Sequence, residues 1–450
     1  MTCQPTDVIL HTFDWPYALI SERAEAIYRA GYRSVLISPP MKSFKQEMGT
    51  PWWQRYQPQD YRVIDNQLGN TESLTQMVAI LDHYDIHVYA DIVFNHMANE
   101  SSLRLDLQYP SASDLADYKQ NEAYFERQKL FGDLSEPLFT EQDFVEAFGI
   151  KDWKDKWEVQ NGRITGGPKD KGLPTLRDND HVINQQRQFL QALKRIGIKG
   201  FRIDAAKHLS LEHIRRVWSD DIVHDMHIFG EIITDGGATR QEYQLFLQPY
   251  LEQTRLGAYD FPLFQTVYNA FACQGSLTTL VDPYSFGEAL SKERAVTFAI
   301  THDVPNNDAF RGQVMDEVAE SLAYSYLLGQ DGGVPLIYSD LDTSGIKNRE
   351  GKPRWKNVWQ DKAMAARIEF HNRMHGLSMN PILATDNVLI FTRGDQGAVS
   401  INKSSHSFTI NLNFPVDLID ILTGERFVSD RGQVTINTPG RASRMLLCDR

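Results

Sequence analysis

Cysteine is scarce in this chain of 450 residues, which contains only Cys3, Cys273 and Cys448. An odd number of widely separated cysteines excludes a disulfide framework, and their spacing matches no metal cluster. We expect three reduced structural thiols. The N-terminus, MTCQPTDVIL, also lacks the basic and apolar regions of a signal peptide. These absences predict a cytoplasmic protein, or a secreted one if a signal peptide has been removed.

Long apolar runs and a surplus of positive charge are missing as well. No uninterrupted apolar stretch approaches the roughly 20 residues that a membrane-spanning helix needs. The 46 lysines and arginines are outnumbered by 59 acidic residues, which gives a formal net charge of −13. This balance argues against nucleic acid or an anionic membrane as a partner. A neutral substrate fits the composition better, and a monomer is the expected oligomeric state.

Short β-rich apolar runs recur along the chain, with helix-like segments between them. Amphipathic helices are predicted at Thr71–Tyr84 and Val182–Ile196. Strands that alternate with helices imply parallel pairing, and eight of them predict an α/β fold, the closed (β/α)8 TIM barrel. The predicted strands are Val8–Phe13, Ser34–Ser38, His87–Asn95, Gly200–Ala205, His227–Ile232, Ala258–Phe261, Val296–Asp303 and Val334–Asp340.

Two regions interrupt this alternation. Residues 97–181, after the third strand, are polar and irregular, which predicts an inserted domain rather than a loop. From residue 366 to 450, strand-like runs separated by turns predict a C-terminal antiparallel β-sandwich. The catalytic barrel would then comprise residues 1–96 and 182–365. The terminal module has no tryptophan, so we expect it to pack on the barrel rather than to bind a polysaccharide.

Four motifs set acidic groups or histidines at the ends of predicted strands. They are DIVFNH at Asp91–His96, GFRIDAAKH at Gly200–His208, FGEI at Phe229–Ile232 and ITHD at Ile300–Asp303. They end the third, fourth, fifth and seventh strands. Barrel enzymes place their catalytic groups at the C-terminal ends of strands, so the four motifs should converge at one mouth.

Three acids in these motifs are candidate catalytic groups: Asp204, Glu231 and Asp303. Two suitably spaced carboxylates are the minimum for hydrolysis of a glycosidic bond. Arg202 shares a strand face with Asp204 and should keep it ionised, as a nucleophile requires. Glu231 follows an apolar run, so burial should raise its pKa to suit a general acid. A single strand-end aspartate is more often a turn former, but three acids at three strand ends favour function.

Aromatic residues and histidines add a predicted sugar-binding wall. The segment PWWQRYQP at residues 51–58 follows the second strand, over the barrel mouth. Adjacent Trp52 and Trp53 cannot both enter one core on an extended segment, and aromatic faces stack on sugar rings. His96, His208 and His302 lie in the motifs and could donate hydrogen bonds to sugar hydroxyls. The alternatives are tryptophans that pack on the barrel rim and structural histidines.

The four motifs closely resemble the α-amylase family of glycoside hydrolases in order and spacing, and PWWQRYQP resembles its animal-type members and their bacterial relatives. The resemblance implies a retaining enzyme with Asp204 as nucleophile, Glu231 as general acid/base and Asp303 as third carboxylate. Arg202 would hold Asp204. The substrate-binding residues that the resemblance implies are Trp52, Trp53, Tyr56, Gln57, His96, Arg202, Lys207, His208 and His302.

The same resemblance bears on two ions. Members of the family commonly hold a structural calcium, for which Asn95 and the His208 carbonyl match two ligands. Thr175 stands where an aspartate ligand is expected, and Asp178 or Asp180 would substitute only after a register shift. The sequence leaves calcium open. Chloride-dependent members carry asparagine where this chain has Thr301, so no chloride requirement is expected.

The function that the resemblance implies is endo-acting hydrolysis of α-1,4-glucans such as starch, glycogen or maltooligosaccharides. The same motifs serve exo-acting maltooligosaccharide-forming amylases, α-glucosidases and glucanotransferases, so these alternatives stay open. A catalytically inactive barrel that acts as a binding or scaffold protein is a further alternative. It is disfavoured because such relatives usually lose catalytic carboxylates, whereas this chain keeps all three.

Overall fold

The computed structural model describes residues 7–45, 51–165 and 169–449. Eight parallel strands, named here β1 to β8 in chain order, close into a barrel in which β1 pairs with both β2 and β8. The predicted barrel is therefore confirmed. The strands are β1 Ile9–Thr12, β2 Ser34–Ile37, β3 His87–Ile92, β4 Gly200–Ile203, β5 His227–Gly230, β6 Gly257–Tyr259, β7 Ala295–Phe298 and β8 Val334–Ser339.

Both helices that were predicted from periodicity are present, and capping residues mark their ends. Helix Thr71–His83 begins with a capping box, in which the Asn70 side chain accepts from the Ser73 N–H and the Ser73 hydroxyl accepts from the Asn70 N–H. Helix Asp180–Ile196 begins at an Asn179 cap and ends at Gly197 in the left-handed conformation. The other α-helices are Tyr17–Glu22, Ala24–Arg29, Ala112–Gln120, Glu122–Gln128, Lys156–Asn161, Leu211–Val217, Asp220–Val223, Gln248–Gln253, Phe261–Phe271, Asp303–Asn306, Glu317–Leu327 and Lys362–Met374.

The segment between β3 and β4 leaves the barrel as the sequence predicts. It contains the helices Ala112–Gln120, Glu122–Gln128 and Lys156–Asn161, joined by irregular loops. A bridge between His96 and Thr175 ties its two ends together beside the barrel mouth. The domain limits drawn from the sequence stay a prediction, and the limit at 366 falls inside helix Lys362–Met374.

The C-terminal region forms two antiparallel sheets of six and three strands. The sequence did not predict the strand Met379–Ala384, whose exposed or half-buried residues and Pro381 are typical of a sheet edge. The six-stranded sheet contains Met379–Ala384, Val388–Arg393, Gly397–Asn402, Ala442–Cys448, Leu418–Asp420 and Arg426–Phe427, and the three-stranded sheet contains Phe408–Asn413, Gln433–Thr438 and Ser429–Asp430.

One hydrophobic core joins the barrel to the terminal module. Phe370 and Met374, from the helix that precedes the module, pack in the same cluster as Phe391 and Met445 from its six-stranded sheet. A smaller core fills the space between the two sheets, around Leu412, Ile436 and other buried residues. The terminal module is therefore packed on the barrel as expected.

Two expectations from composition can be compared with the described residues. Cys273 and Cys448 form no disulfide bond with each other, and Cys3 lies outside the described part of the chain. In the three described ranges, no helix combines the length and the apolar character that crossing a bilayer requires.

Candidate active site

Three predicted acids meet at the C-terminal mouth of the barrel. Asp204 and Glu231 directly follow β4 and β5, which pair in a register that sets Ile203 opposite Gly230. The two carboxylates therefore leave neighbouring strands at the same level. Asp303 lies beyond the end of β7, where it opens the short helix Asp303–Asn306.

Arg202 is the centre of this cluster. Its side chain is fully buried, and Nη1 donates to both oxygens of Asp91 at 2.6 Å and to Oδ1 of Asp204 at 3.1 Å. Nη2 donates to Oε1 of Glu231 and lies 3.9 Å from Oδ2 of Asp303. Arg202 is thus shared among four carboxylates, not dedicated to Asp204 as the sequence predicted.

Burial dominates the protonation of these acids. It raises the pKa of Asp204 well above its usual range, against the lowering effect of Arg202, and it raises the pKa of Glu231 to about 7. The predicted contrast between an ionised Asp204 and a neutral Glu231 is therefore not produced by Arg202, which lowers both pKa values. Four carboxyl groups around one guanidinium cannot all ionise cheaply, so they share protons.

Glu231 and Asp303 affect each other's protonation. Burial raises the pKa of Asp303 as well, but the neighbouring Glu231 lowers it, and Asp303 in turn raises the pKa of Glu231. These opposite directions favour a shared proton on Glu231 rather than on Asp303. With Glu231 neutral, Asp204 loses one of the like charges that raise its own pKa.

The chain direction after β4 is fixed by a strained residue. Ala205 has φ of 47°, in the left-handed region that a residue with a Cβ atom seldom adopts. In this conformation its backbone N–H donates to Oε2 of Glu231 at 3.1 Å. Ala205, which follows Asp204, therefore binds Glu231 through its backbone. Backbone strain of this kind is typical of functional sites.

An aromatic wall borders the carboxylates. The His302 ring lies between Phe13, at a centroid distance of 4.7 Å, and Tyr56, at 5.2 Å, with Trp52 at 5.9 Å. Burial lowers the pKa of His302 to about 3, so the ring is neutral. Tyr56 Oη donates to Asp91 at 2.9 Å, which ties the wall to the charged cluster.

The segment that carries the two tryptophans is not extended as the sequence predicted. Trp52–Tyr56 form a 3-10 turn, which directs the neighbouring rings to different surroundings. Trp52 faces His302, whereas Trp53 stacks on Phe44 at a centroid distance of 6.1 Å. The structure therefore brings Trp52 and Tyr56 to the cluster and places Trp53 further out on the loop.

Two more predicted sugar contacts already have partners within the protein. The Gln57 side-chain oxygen accepts from the backbone N–H of Asn99 at 2.9 Å. His96 Nε2 lies 3.0 Å from the Tyr56 carbonyl oxygen, and Nδ1 lies 3.3 Å from the Asn95 amide nitrogen. Burial lowers the pKa of His96 to about 4, so the ring is neutral.

Lys207 and His208 lie on the turn that follows Asp204. Lys207 Nζ donates to the Ile233 carbonyl at 3.1 Å and lies 3.3 Å from the Glu242 carboxylate. His208 Nδ1 donates to the Val159 carbonyl at 2.8 Å, and burial lowers the pKa of the ring to about 4. This turn therefore joins the barrel mouth to the inserted segment.

The residues matched to a calcium site do not fit a divalent cation. Thr175 is buried, and its hydroxyl donates to the Gly162 carbonyl at 3.1 Å, while the Asn95 amide contacts His96. Calcium usually needs several oxygen donors that include carboxylates. In the described ranges, no group of three or more His, Cys, Asp or Glu residues could hold a metal ion.

The two acids proposed as substitutes are engaged elsewhere. Asp178 accepts from Ser210 and from His213 Nδ1 at 2.8 Å, and Asp180 pairs with Arg216. Asp180 is almost fully exposed, at 98% for its side chain. Neither acid replaces the carboxylate missing at Thr175.

Asp91, Phe13 and Tyr259 also belong to the site, although the sequence predicted no role for them and Asp91 lies in one of the four motifs. Asp91 lies opposite Arg202 in the register of β3 and β4. Aligning these two neighbouring strands of the predicted barrel could have revealed the pair. The Tyr259 ring lies under the Arg202 guanidinium at 5.6 Å. Phe13 gave no signal, because an apolar residue at a strand end is common.

Comparison with known proteins agrees with this geometry. A family model described as the catalytic domain of alpha amylase matches residues 19–327. A curated protein of Aeromonas hydrophila named alpha-amylase is 48% identical over 400 residues, which cover 89% of this chain and 85% of that protein. An alpha-amylase-related protein of Drosophila kikkawai is 26% identical, over 90% of this chain and 83% of the relative.

Solved structures share the fold along the whole chain. Alpha-amylase I of Eisenia fetida, in a complex with maltohexaose, superposes with a TM-score of 0.77 at 20% identity, covering 100% of this chain and 98% of that one. The cyclomaltodextrin glucanotransferase CldA superposes with a TM-score of 0.72 at 18% identity, covering 99% of this chain and 100% of that one. At these identities the likeness concerns the fold alone.

Proposed function

This chain belongs to the α-amylase family of glycoside hydrolases, and we propose that it hydrolyses internal α-1,4 bonds of starch, glycogen or maltooligosaccharides with retention of configuration. The observation that carries the proposal is the cluster of Asp204, Glu231 and Asp303 around one buried guanidinium. One group that binds both Asp204 and Glu231 keeps them close, and close carboxylates favour a retaining mechanism.

The first step uses the proton on Glu231. The step requires Asp204 to be ionised, a form that burial opposes and that the hydrogen bond from Arg202 favours. An oxygen of ionised Asp204 bonds to the anomeric carbon while Glu231 donates its proton to the glycosidic oxygen, and the C–O bond to the leaving chain breaks. The leaving chain departs with a hydroxyl group, and the remaining sugar is held as an ester of Asp204. A Glu231 pKa of about 7 supports this role, because it keeps the acid protonated near neutral pH.

The second step reverses the roles. Glu231, now ionised, takes a proton from water, and the hydroxide oxygen bonds to the anomeric carbon as the bond to Asp204 breaks. Asp303 lies beside Glu231 and Arg202, where its charge would bind sugar hydroxyls and favour a positively charged transition state. Trp52, Tyr56 and His302 would hold the sugar on the glycone side, and Trp53, Gln57 and His96 would extend that side.

Product analysis tests the activity. Purified protein incubated with a long linear α-1,4-glucan should release fragments of many lengths early in the reaction, as internal cleavage requires. Glu231→Gln keeps the shape of the side chain and removes the proton, and should lower kcat by roughly 10^3-fold or more. One dominant short product from the start would instead indicate exo action, and full activity in Glu231→Gln would refute the role of Glu231.

The chain should not depend on calcium at the junction of barrel and insertion. A calcium site would need a carboxylate at position 175. Thr175 offers only a hydroxyl, which already donates a hydrogen bond to the Gly162 carbonyl. We predict that calcium and EDTA leave the melting temperature of the wild-type protein equal within about 2 °C. Thr175→Asp should melt lower in EDTA, because its charge is buried, and should regain stability in calcium. A large calcium effect on the wild type would contradict this.

Chloride should not be required either. Arg202 Nε and Thr301 Oγ1 are buried without a hydrogen-bond partner among the described residues, so donors for a small ligand exist. The charge nearby is unfavourable, because one guanidinium faces four carboxyl groups, and an added anion would be repelled. Activity measured against chloride concentration should stay flat, and a severalfold rise would refute this.

A further inference from the structure

Arg55 lies in the 3-10 turn Trp52–Tyr56, called here the tryptophan turn, and forms a buried ion pair with Asp14. Its Nε donates to Oδ1 of Asp14 at 2.7 Å and its Nη2 donates to Oδ2 at 2.8 Å. Two parallel bonds of this kind fix the orientation of both side chains as well as their distance. The pair therefore holds the loop after β1 against the loop after β2.

Both partners are sequence neighbours of rings in the aromatic wall that borders the carboxylates. Phe13 directly precedes Asp14 in the chain, and Tyr56 directly follows Arg55. The Trp52 ring lies between the other two, with centroids 5.7 Å from Phe13 and 5.8 Å from Tyr56. A shift of either partner of the ion pair would therefore move a ring of the wall.

The remaining contacts of the Arg55 guanidinium fasten the tryptophan turn itself. Nη2 also donates to the Pro51 carbonyl at 3.0 Å, one residue before Trp52. Nη1 donates to Oε1 of Gln67 at 2.6 Å, and Nε2 of Gln67 donates to Oε1 of Gln54, also at 2.6 Å. The turn is thus held at its start and at its middle by one hydrogen-bond network.

Asp14 is held in a strained backbone conformation. Its φ is 59°, in the left-handed region, and its backbone N–H donates to Ser38 Oγ, just after β2, at 2.9 Å. The N–H of Phe13 donates to the carbonyl of Ser339, at the end of β8, also at 2.9 Å. The chain therefore turns sharply where it leaves β1. Strain that the surroundings maintain in this way is typical of functional sites.

The ion pair is better suited to fixing geometry than to stabilising the fold. Burial raises the pKa of Asp14, against the lowering effect of Arg55. The attraction between two buried charges often does not exceed the cost of taking them out of water, so such a pair adds little net stability over apolar residues. What it supplies is a single arrangement of the two loops.

We propose that Asp14 and Arg55 are positioning residues, whose ion pair sets the tryptophan turn against the end of β1 so that the aromatic wall is in place before a sugar binds. A wall that is already ordered loses little conformational entropy on binding. Arg55 has no exposed surface and acts through the rings. This inference rests on the proposed function, because the wall is assigned to the same glucan substrate.

Asp14→Asn and Arg55→Lys test the pair from both sides. Asparagine suits the left-handed backbone and loses the charge, whereas lysine keeps the charge and cannot make the two parallel bonds. On a long linear α-1,4-glucan, each variant should raise KM by about tenfold and change kcat by less than about twofold, because misplaced rings weaken binding and leave the acids in place. In the Glu231→Gln background, calorimetry should show the same loss of affinity for maltoheptaose.

Asp60→Asn is the matched control. Asp60 is fully buried and binds Arg62 through the same two-point geometry, at 3.0 Å from Nε and 2.9 Å from Nη2. Arg62 donates onward to the carbonyls of Asp133 and Glu136 in the inserted segment, and not to the tryptophan turn. The control variant should melt at a lower temperature and keep the KM of the wild type.

Three outcomes separate the possibilities. If the wild-type protein cleaves long glucans and both variants of the pair keep its KM and its affinity for maltoheptaose, the positioning role is refuted. An equal rise of KM in Asp60→Asn would refute it too, because loss of any buried pair would then have the same effect. A wild-type protein that binds long glucans without cleaving them would refute the proposed function, and the affinities would still test the pair.

Discussion

At the scale of single residues, the site depends on how little positive charge faces its acids. Arg202 binds Asp91 through two contacts at 2.6 Å and also reaches Asp204 and Glu231. Burial of all these groups raises the cost of ionisation, so protons stay in the cluster at a pH where free carboxylic acids have lost them. A general acid can therefore work near neutral pH without a special proton donor.

The pH dependence of activity should report this proton. Glu231 must be protonated to act as the acid, so kcat/KM should fall as pH rises through its pKa of about 7. Burial is the largest cause of this raised pKa, and the charge of Asp303 adds to it. Asp303→Asn removes that charge, so we expect the alkaline limb of kcat/KM to move to lower pH by about one unit.

A second buried carboxylate at a strand end supplies the control. Asp340 follows β8 and accepts from Tyr338 Oη at 3.0 Å. Asp340→Asn should leave the alkaline limb where it is, whatever its effect on stability. An unchanged limb in Asp303→Asn would show that the two carboxyl groups do not share a proton.

At the scale of secondary-structure elements, the parallel register of β3 and β4 is what joins Asp91 to Arg202. Both side chains are fully buried, so the pair is isolated from water. Removal of one member of such a pair leaves a buried charge with fewer partners. The strands β3 and β4 thus supply the Asp91–Arg202 ion pair, whose arginine also binds the acids at the barrel mouth.

Asp91→Asn should therefore destabilise the barrel by about 3–5 kcal/mol, as loss of a buried ion-pair partner does. The free energy of unfolding in urea measures the change. Asp204→Asn removes a more weakly bound carboxylate at 3.1 Å and relieves like-charge repulsion, so its cost should be smaller or absent. Equal losses of unfolding free energy in Asp91→Asn and Asp204→Asn would contradict the assignment of Asp91 as a structural acid and Asp204 as a reacting one.

At the scale of the whole molecule, one arginine fastens the terminal module to the barrel. Arg393 lies in the strand Val388–Arg393 and is 2% exposed. Its guanidinium donates to the main-chain carbonyls of Gly329, Gln330, Met374 and Leu377 at 2.7–3.0 Å. Together with the shared core, these bonds should make the barrel and the module unfold as one unit.

Arg393→Met keeps the hydrocarbon length of the side chain and leaves four buried carbonyls without their donor. We expect a loss of roughly 3–5 kcal/mol, seen by calorimetry as a lower melting temperature. Arg426→Met is the control, because its side chain is 60% exposed and its ion pairs lie at the surface, where they contribute little. Two separate unfolding transitions of the wild-type protein would refute the prediction that the barrel and the terminal module unfold as one unit.

Strands, helices and the acids at strand ends could be predicted because each depends on local pattern. Apolar runs of three to six residues pair in the barrel, and Asn179 and Gly197 bound a helix through local capping contacts. The strand Met379–Ala384 was missed because an exposed edge strand carries little hydrophobic pattern. The turn at Trp52–Tyr56 was misread as extended because proline and aromatic residues suit both conformations.

The sequence by itself determined the barrel, the order of its strands and the identity of the acids at its mouth, because periodicity and motif spacing are properties of the chain. The tertiary structure decided how those acids share one guanidinium, how strongly burial raises their pKa values, and that Thr175 bonds to Gly162. The physical reason is that ionisation and hydrogen-bond choice depend on burial and on partners distant in sequence. Asp91 and Arg202 lie 111 residues apart and still form a fully buried ion pair at 2.6 Å.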